Sequence, residues 1–278
     1  MKLPKFNFSV NFITIIKLFR RYILGVKVQK YNFGHKKDTW DPRDNYYKVR
    51  KPVEQLPVST NLKNLTAFTW RYDQLNLGAC VGHGIVAGFR RTLQVNRQPD
   101  FAPSRRFAYY IARPDDEKNI DCGASIRDGF KAVNKFGLCS EDLWPYIIEK
   151  FAECPTKEVF DEALKHQAII YERIYPVTKE AIMDALFHGF PVVYGMKLFE
   201  SFMSDEVKKT GIVPMPKCWE QEVGSHCKAI FDYDNKRDVV NELNSWGSNW
   251  GKNGTCDIPW KYVLSKYSSD FWVFYKTE

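Results

Sequence analysis

Apolar residues recur at helical spacing through the first two thirds of the chain and gather into strand-like runs in the last third. Phe12, Ile15, Ile16, Phe19, Ile23 and Val26 return at three- and four-residue steps with Lys17, Arg20 and Arg21 between them, which predicts a short amphipathic helix with one cationic edge. Residues 34–60 are irregular and punctuated by Pro42, Pro52 and Pro57. Stronger helical periodicity covers 80–93, where Ile85, Val86, Phe89 and Leu93 share a face. It continues over 104–111, over 126–136 with Gly137 as a stop, and over 157–165 and 179–187. After residue 190 the strings PVVYGMKL, CKAIFDYD, DVVNELN and FWVFY are rich in β-branched and aromatic residues and read as strands. Helices early and strands late predict an α+β protein with a helical lobe beside a sheet lobe.

Composition narrows the class. The 278 residues, 44% apolar and 27% charged, exclude wholesale disorder, a collagen-like fibre and a multi-span membrane protein. The net charge of +8 is concentrated at the front: nine of the 41 basic residues and no acidic one lie in 1–37, leaving 32 against 33 over 38–278. The body is therefore near neutral and carries no basic stripe for nucleic acid, so no nucleic-acid partner is expected. Charges interrupt the apolar runs of residues 1–30 well before the roughly 18 residues of a membrane span. Asn7 and Asn11, with no small-x-small cleavage site after them, make a poor signal peptide. The segment suits contact with a membrane surface, an ordinary packed helix, or a stretch that folds back on the body and is later removed.

Chemistry concentrates in two places. The string DQLNLGAC at 73–80 places Cys80 in the first turn of a predicted helix, where unpaired N–H groups and the dipole favour a thiolate. The same N–H groups and the Gln74 amide can receive a developing oxyanion. Of the five histidines, His35, His166 and His188 read as surface or packing residues. His83 shares the helix of Cys80 but has no evident third group to fix its tautomer. His226 precedes a strand, and eighteen residues later Asn244 opens the string NSWGSNWG, which supplies an acceptor for the second imidazole nitrogen under tryptophan cover. No CxxC or HxxxH spacing appears, so neither a metal nor another cofactor is expected.

These strings resemble the papain-like cysteine peptidases, the cathepsin family, and especially its microbial and viral branch. DPRD at 41–44, DQLNLGAC, PSRRFAYYIAR at 103–113, DCGASIRDGFKAVNKFGLCSEDLWPY at 121–146, TGIVPMP at 210–216, SHCKAIFDYD and NSWGSNWGKNGTCDIP follow the family's order over about residues 34–275. The resemblance implies a papain-like two-lobe fold, a helical lobe over about 51–160 and an antiparallel sheet or barrel lobe over about 161–275, with the active-site cleft between them. It implies Cys80 as nucleophile, His226 as general base and then acid, Asn244 as its orienting partner, and Gln74 as the oxyanion donor beside the Cys80 N–H. Gly123 would pair with extended substrate, Trp246 would shield the His–Asn bond, and Met215, Pro216 and Ser225 would neighbour the pocket for the substrate's second residue.

The implied activity is hydrolysis of polypeptides through a thioester, with an endopeptidase favoured. A catalytically silent binding protein, an exopeptidase and a thiol acyltransferase are the alternatives on the same fold. The peptidase domain would occupy 34–278, with residues 1–33 as a candidate pro-segment of a zymogen, and the oligomeric state is left open. Family habit points to a lysosome-like or extracellular compartment, with packaging in a virion as the alternative. Several positions depart from the family pattern. Leu77 and Val81 flank the nucleophile where a cysteine and an aromatic are usual, Cys227 replaces a small apolar residue, and Cys122 lacks its customary mate. Of the six remaining cysteines, Cys227 and Cys256 read as buried thiols, while Cys122, Cys139, Cys154 and Cys218 are open to pairing.

Overall fold

Helix α1 (Cys80–Val95) is buried along almost its whole length, because it packs against helices on one side and a sheet on the other. The computed structural model describes residues 31–60 and 70–277, so the amphipathic helix expected over 12–26 lies outside the described residues. Helix α2 (Arg105–Ala112) starts at Ser104, whose hydroxyl accepts the Phe107 N–H at 3.1 Å. Helix α3 (Ile126–Phe136) starts at Ser125 in the same way and stops at Gly137. Helix α4 (Lys157–Ala163) and helix α5 (Lys179–Phe187) are capped by Thr156 and Thr178. The apolar periodicity located these helices to within two residues at each end.

Two short strands, β1 (His35–Lys36) and β2 (Ala124–Ser125), pair in parallel. The main sheet has six strands in the order β3 (Ala168–Arg173), β8 (Ser268–Thr277), β4 (Val192–Phe199), β5 (Glu222–Asp234), β6 (Val239–Leu243) and β7 (Thr255–Pro259), and each neighbouring pair is antiparallel. Its central strands are buried on both faces. Trp272 and Phe274 of β8 join the core around α1, whereas Phe271 and Val273 join a second core with α5. Double burial explains why these strands read as continuous apolar runs rather than as alternation.

Among the buried polar side chains is an ion pair. Lys228 Nζ lies 2.5 Å from Glu242, both side chains are fully buried, and the Tyr194 hydroxyl also donates to Glu242. A buried pair contributes little net stability when intact, but a lone buried charge costs about 3–5 kcal/mol. Lys228→Met should therefore lower the unfolding free energy by about that amount in urea titration. The double variant Lys228→Met/Glu242→Gln, which keeps an acceptor for Tyr194, should recover most of it.

The irregular stretch after β1 is fixed by side chains. Asp38 accepts the Trp272 indole N–H at 2.7 Å and the Arg127 N–H at 3.0 Å, Arg127 pairs with Asp41 and Asp44, and the Tyr47 hydroxyl donates to Asp184 at 2.7 Å. These ties anchor the chain just after β1.

Candidate active site

Cys80 begins α1 directly after a tight loop that its neighbours hold from several sides. The Gly78 N–H donates to Asp121 at 3.0 Å, and the Gln74 N–H donates to the Ser245 carbonyl at 2.8 Å. The Gln74 side chain is fully buried and fixed at both ends: Oε1 accepts from the Ser245 hydroxyl at 2.6 Å, and Nε2 donates to the Leu77 carbonyl at 2.8 Å. Its amide orientation is thus set by the chain around it.

His226 lies on β5. Its Nε2–H donates to Asn244 Oδ1 at 2.8 Å, and the same oxygen accepts the Ser245 N–H at 2.9 Å. Because an amide oxygen only accepts, the ring proton sits on Nε2 and leaves Nδ1 as a bare acceptor, buried and without a hydrogen-bond partner. Trp246 stacks on the imidazole with centroids 5.0 Å apart and 28° between planes. The Cys80 thiol is set against the backbone N–H of Cys227, next along β5 from His226. Burial pushes this thiol up to about 11 despite the N–H groups of Cys227, Gly34, Val81 and Cys80 itself. Burial also pushes His226 down to about 3, against the pull of Asn244. In the covered site both groups are neutral.

The cover is the chain itself. Tyr31 stacks face to face on Trp246 at 4.1 Å, and Phe33 meets the His226 ring edge-on at 6.1 Å. The Asn32 carbonyl accepts from Gln74 Nε2 at 3.1 Å, and its side-chain amide donates to Asn76 and Asp121. The Gly34 N–H faces the Cys80 sulfur, while the Gly34 carbonyl accepts the Ala124 N–H at 2.8 Å. Gly34 passes so close to the loop before Cys80 that a methyl group there would fall 1.7 Å from the Gly78 carbonyl oxygen. The compact unit of the chain begins at Tyr31, so this stretch belongs to the folded body.

The structure brings Cys80, Gln74, His226, Asn244, Trp246, Gly123 and Ser225 around this stretch, and it sets Met215 half-buried at the margin of the second core. Two histidines differ from expectation. The His35 side chain is buried rather than superficial, because the ties at Asp38 carry β1 inward, where its ring meets Ser225 and Asp270. His83 does have a group that fixes its tautomer, since Nδ1–H donates to the Ala79 carbonyl at 2.9 Å. Burial drives it down to about 3 and its ring packs edge-on against Tyr72 and Tyr146. All seven cysteines are free thiols: Cys139, Cys227 and Cys256 are buried, and Cys122 rests against Glu117 at 3.0 Å. None of the pairings left open by the sequence forms. Among the described residues no group of three or more His, Cys, Asp or Glu side chains is placed to hold a metal ion.

Residues 73–263 match the model of the papain family of cysteine proteases. A peptidase C1-like protein of Acanthamoeba polyphaga mimivirus is 38% identical over 271 residues, which cover 87% of this chain and 86% of that protein. Xylellain, a cysteine protease from Xylella fastidiosa, superposes with a TM-score of 0.80 at 28% identity, over 88% of this chain and 96% of its own. The procathepsin B S9 of Trypanosoma congolense shares the fold, with a TM-score of 0.69 at 14% identity over 95% and 98% of the two chains.

Proposed function

Because this chain belongs to the papain family of cysteine proteases, we propose that it is an endopeptidase acting through Cys80, His226, Asn244 and Gln74, made as a zymogen whose cleft residues 31–36 occlude. The observation that carries the catalytic reading is the Nε2–H bond from His226 to Asn244, which leaves Nδ1 as a bare proton acceptor on the strand whose next residue, Cys227, sets its N–H against the Cys80 thiol. In this mechanism Nδ1 takes the Cys80 proton and the thiolate attacks the peptide carbonyl. The oxyanion is received by Gln74 Nε2–H and the Cys80 N–H, and the imidazolium gives its proton to the departing amine. Water, deprotonated by the same nitrogen, then cleaves the thioester to acid and free thiol. Asn244 and Trp246 hold the ring through both steps.

Occlusion is supported by the Asn32 carbonyl resting on Gln74 and by the Gly34 N–H facing the sulfur, since both groups are needed by a substrate. Treatment of the full-length protein and its Gly34→Ala variant with a peptidyl epoxide, followed by peptide mapping, tests the reading. Modification is expected at Cys80, with internal cuts in a long peptide by the Gly34→Ala chain and no peptide cleavage once Cys80→Ala is added to it. Gln74→Ala should lower kcat by about 10²–10³-fold while Cys80 still labels. Labelling at another cysteine, or cleavage that survives Cys80→Ala, rejects it.

A further inference from the structure

Resting on the peptidase reading, we propose that the pocket filled by His35 selects a histidine side chain in peptide substrates, with Asp270 as the residue that determines this preference. The His35 side chain is 2% exposed although it belongs to a short segment laid across the site. Nε2 donates to Asp270 Oδ2 at 3.2 Å, and Nδ1 lies 2.6 Å from the Ser225 hydroxyl. One wall is the bare backbone of Gly195, where an added Cβ would lie 1.9 Å from His35 Cε1. The pocket therefore has the outline of an imidazole and a polar group for each ring nitrogen.

Asp270 is built into the floor. Its backbone is held in the left-handed region at φ 59°, its Oδ1 lies 3.5 Å from Arg173, and its Oδ2 also accepts the Asp38 N–H at 3.2 Å and the Ser269 hydroxyl at 2.8 Å. A peptide that reaches Cys80 must displace residues 31–36 and run over the same Ala124 N–H and Gln74 amide. The His35 pocket is three residues along the chain from the carbonyl resting on Gln74, so a substrate side chain enters it as His35 leaves. An apolar side chain would leave Asp270 and Ser225 without that partner in a dry site, and polar sites of this kind discriminate strongly against analogues that cannot bond to them.

The test measures binding, so that it reads out independently of turnover. Blocked tetrapeptides carrying His, Leu or Glu in turn at each position of an Ala–Gly frame are titrated calorimetrically into the full-length Cys80→Ala/Gly34→Ala chain. One position should favour His over Leu and over Glu by tenfold or more in Kd. Asp270→Asn and Ser225→Ala, each added to that background, should shrink the ratio to threefold or less, chiefly by weakening the His peptide. Equal affinities, binding of no peptide, or a ratio untouched by both variants overturns the proposal. A histidine preference in binding together with no hydrolysis by the Gly34→Ala chain that keeps Cys80 would reject the peptidase reading and leave the pocket standing.

Discussion

Gly34→Ala in the full-length chain should raise the rate of Cys80 alkylation by roughly tenfold to a hundredfold. The added methyl group would sit 1.7 Å from the Gly78 carbonyl oxygen, and that carbonyl belongs to a loop pinned by Asp121 and Ser245, so it has little room to retreat. Overpacking of this kind costs about 1–3 kcal/mol, and each 1.4 kcal/mol against the covered state multiplies the open population about tenfold. Gly34 itself belongs to neither hydrophobic core, and only its neighbours Tyr31 and Phe33 rest on the second, so thermal unfolding of the body should shift far less than a core substitution would shift it. Alkylation kinetics followed by intact mass, with the modified site mapped to Cys80, check the effect. An unchanged rate in a folded variant would mean that residues 31–36 do not limit access.

Removing the imidazole from the opened chain should have the largest effect of all. His226→Ala in the Gly34→Ala background should lower kcat/KM for peptide hydrolysis on the order of 10⁴-fold or more, because proton removal and return both depend on that ring. The pH profile separates this from a packing defect. In the covered chain burial holds the Cys80 thiol at about 11, so the thiol is protonated at neutral pH and its alkylation should still be accelerating at pH 9. In Gly34→Ala, water and the freed Nδ1 favour the thiolate, and the inflection should fall by at least two pH units. Adding His226→Ala should return it to the range of an ordinary thiol. An inflection that stays low without the ring would assign thiolate stabilisation to the helix start alone.

The strings proposed to be catalytic are legible in the sequence because each is local. Cys80 follows its loop directly, and Asn244 stands beside the tryptophan that covers it. Helices with a capping Ser or Thr and a wide apolar face were equally plain, as α3 shows with Ser125 before it and Gly137 after it. Strand β3 goes unread in the sequence, and β7 reads as strand-like only around Cys256, because both are edges of the sheet. The first is mostly half-buried and the second ends in Pro259, so neither has the doubly buried texture of its neighbours. The placement of His35 depends on Asp270, 235 positions away, and the fit of Gly34 depends on a carbonyl that only the folded loop brings near. No periodicity reports contacts of that range.

Tethering changes how residues 31–36 compete for the site. A free peptide of the same sequence would dissociate on dilution, whereas a segment joined through Asp38 to Trp272 and Arg127 re-forms its contacts within one molecule. Its effective local concentration is on the order of millimolar, as for short linkers generally. Substrates present at micromolar levels would therefore meet a site already taken, regardless of how little enzyme is present. A single backbone break between Lys36 and Asp38 would turn the resident segment into a soluble ligand, and dilution alone would then clear it.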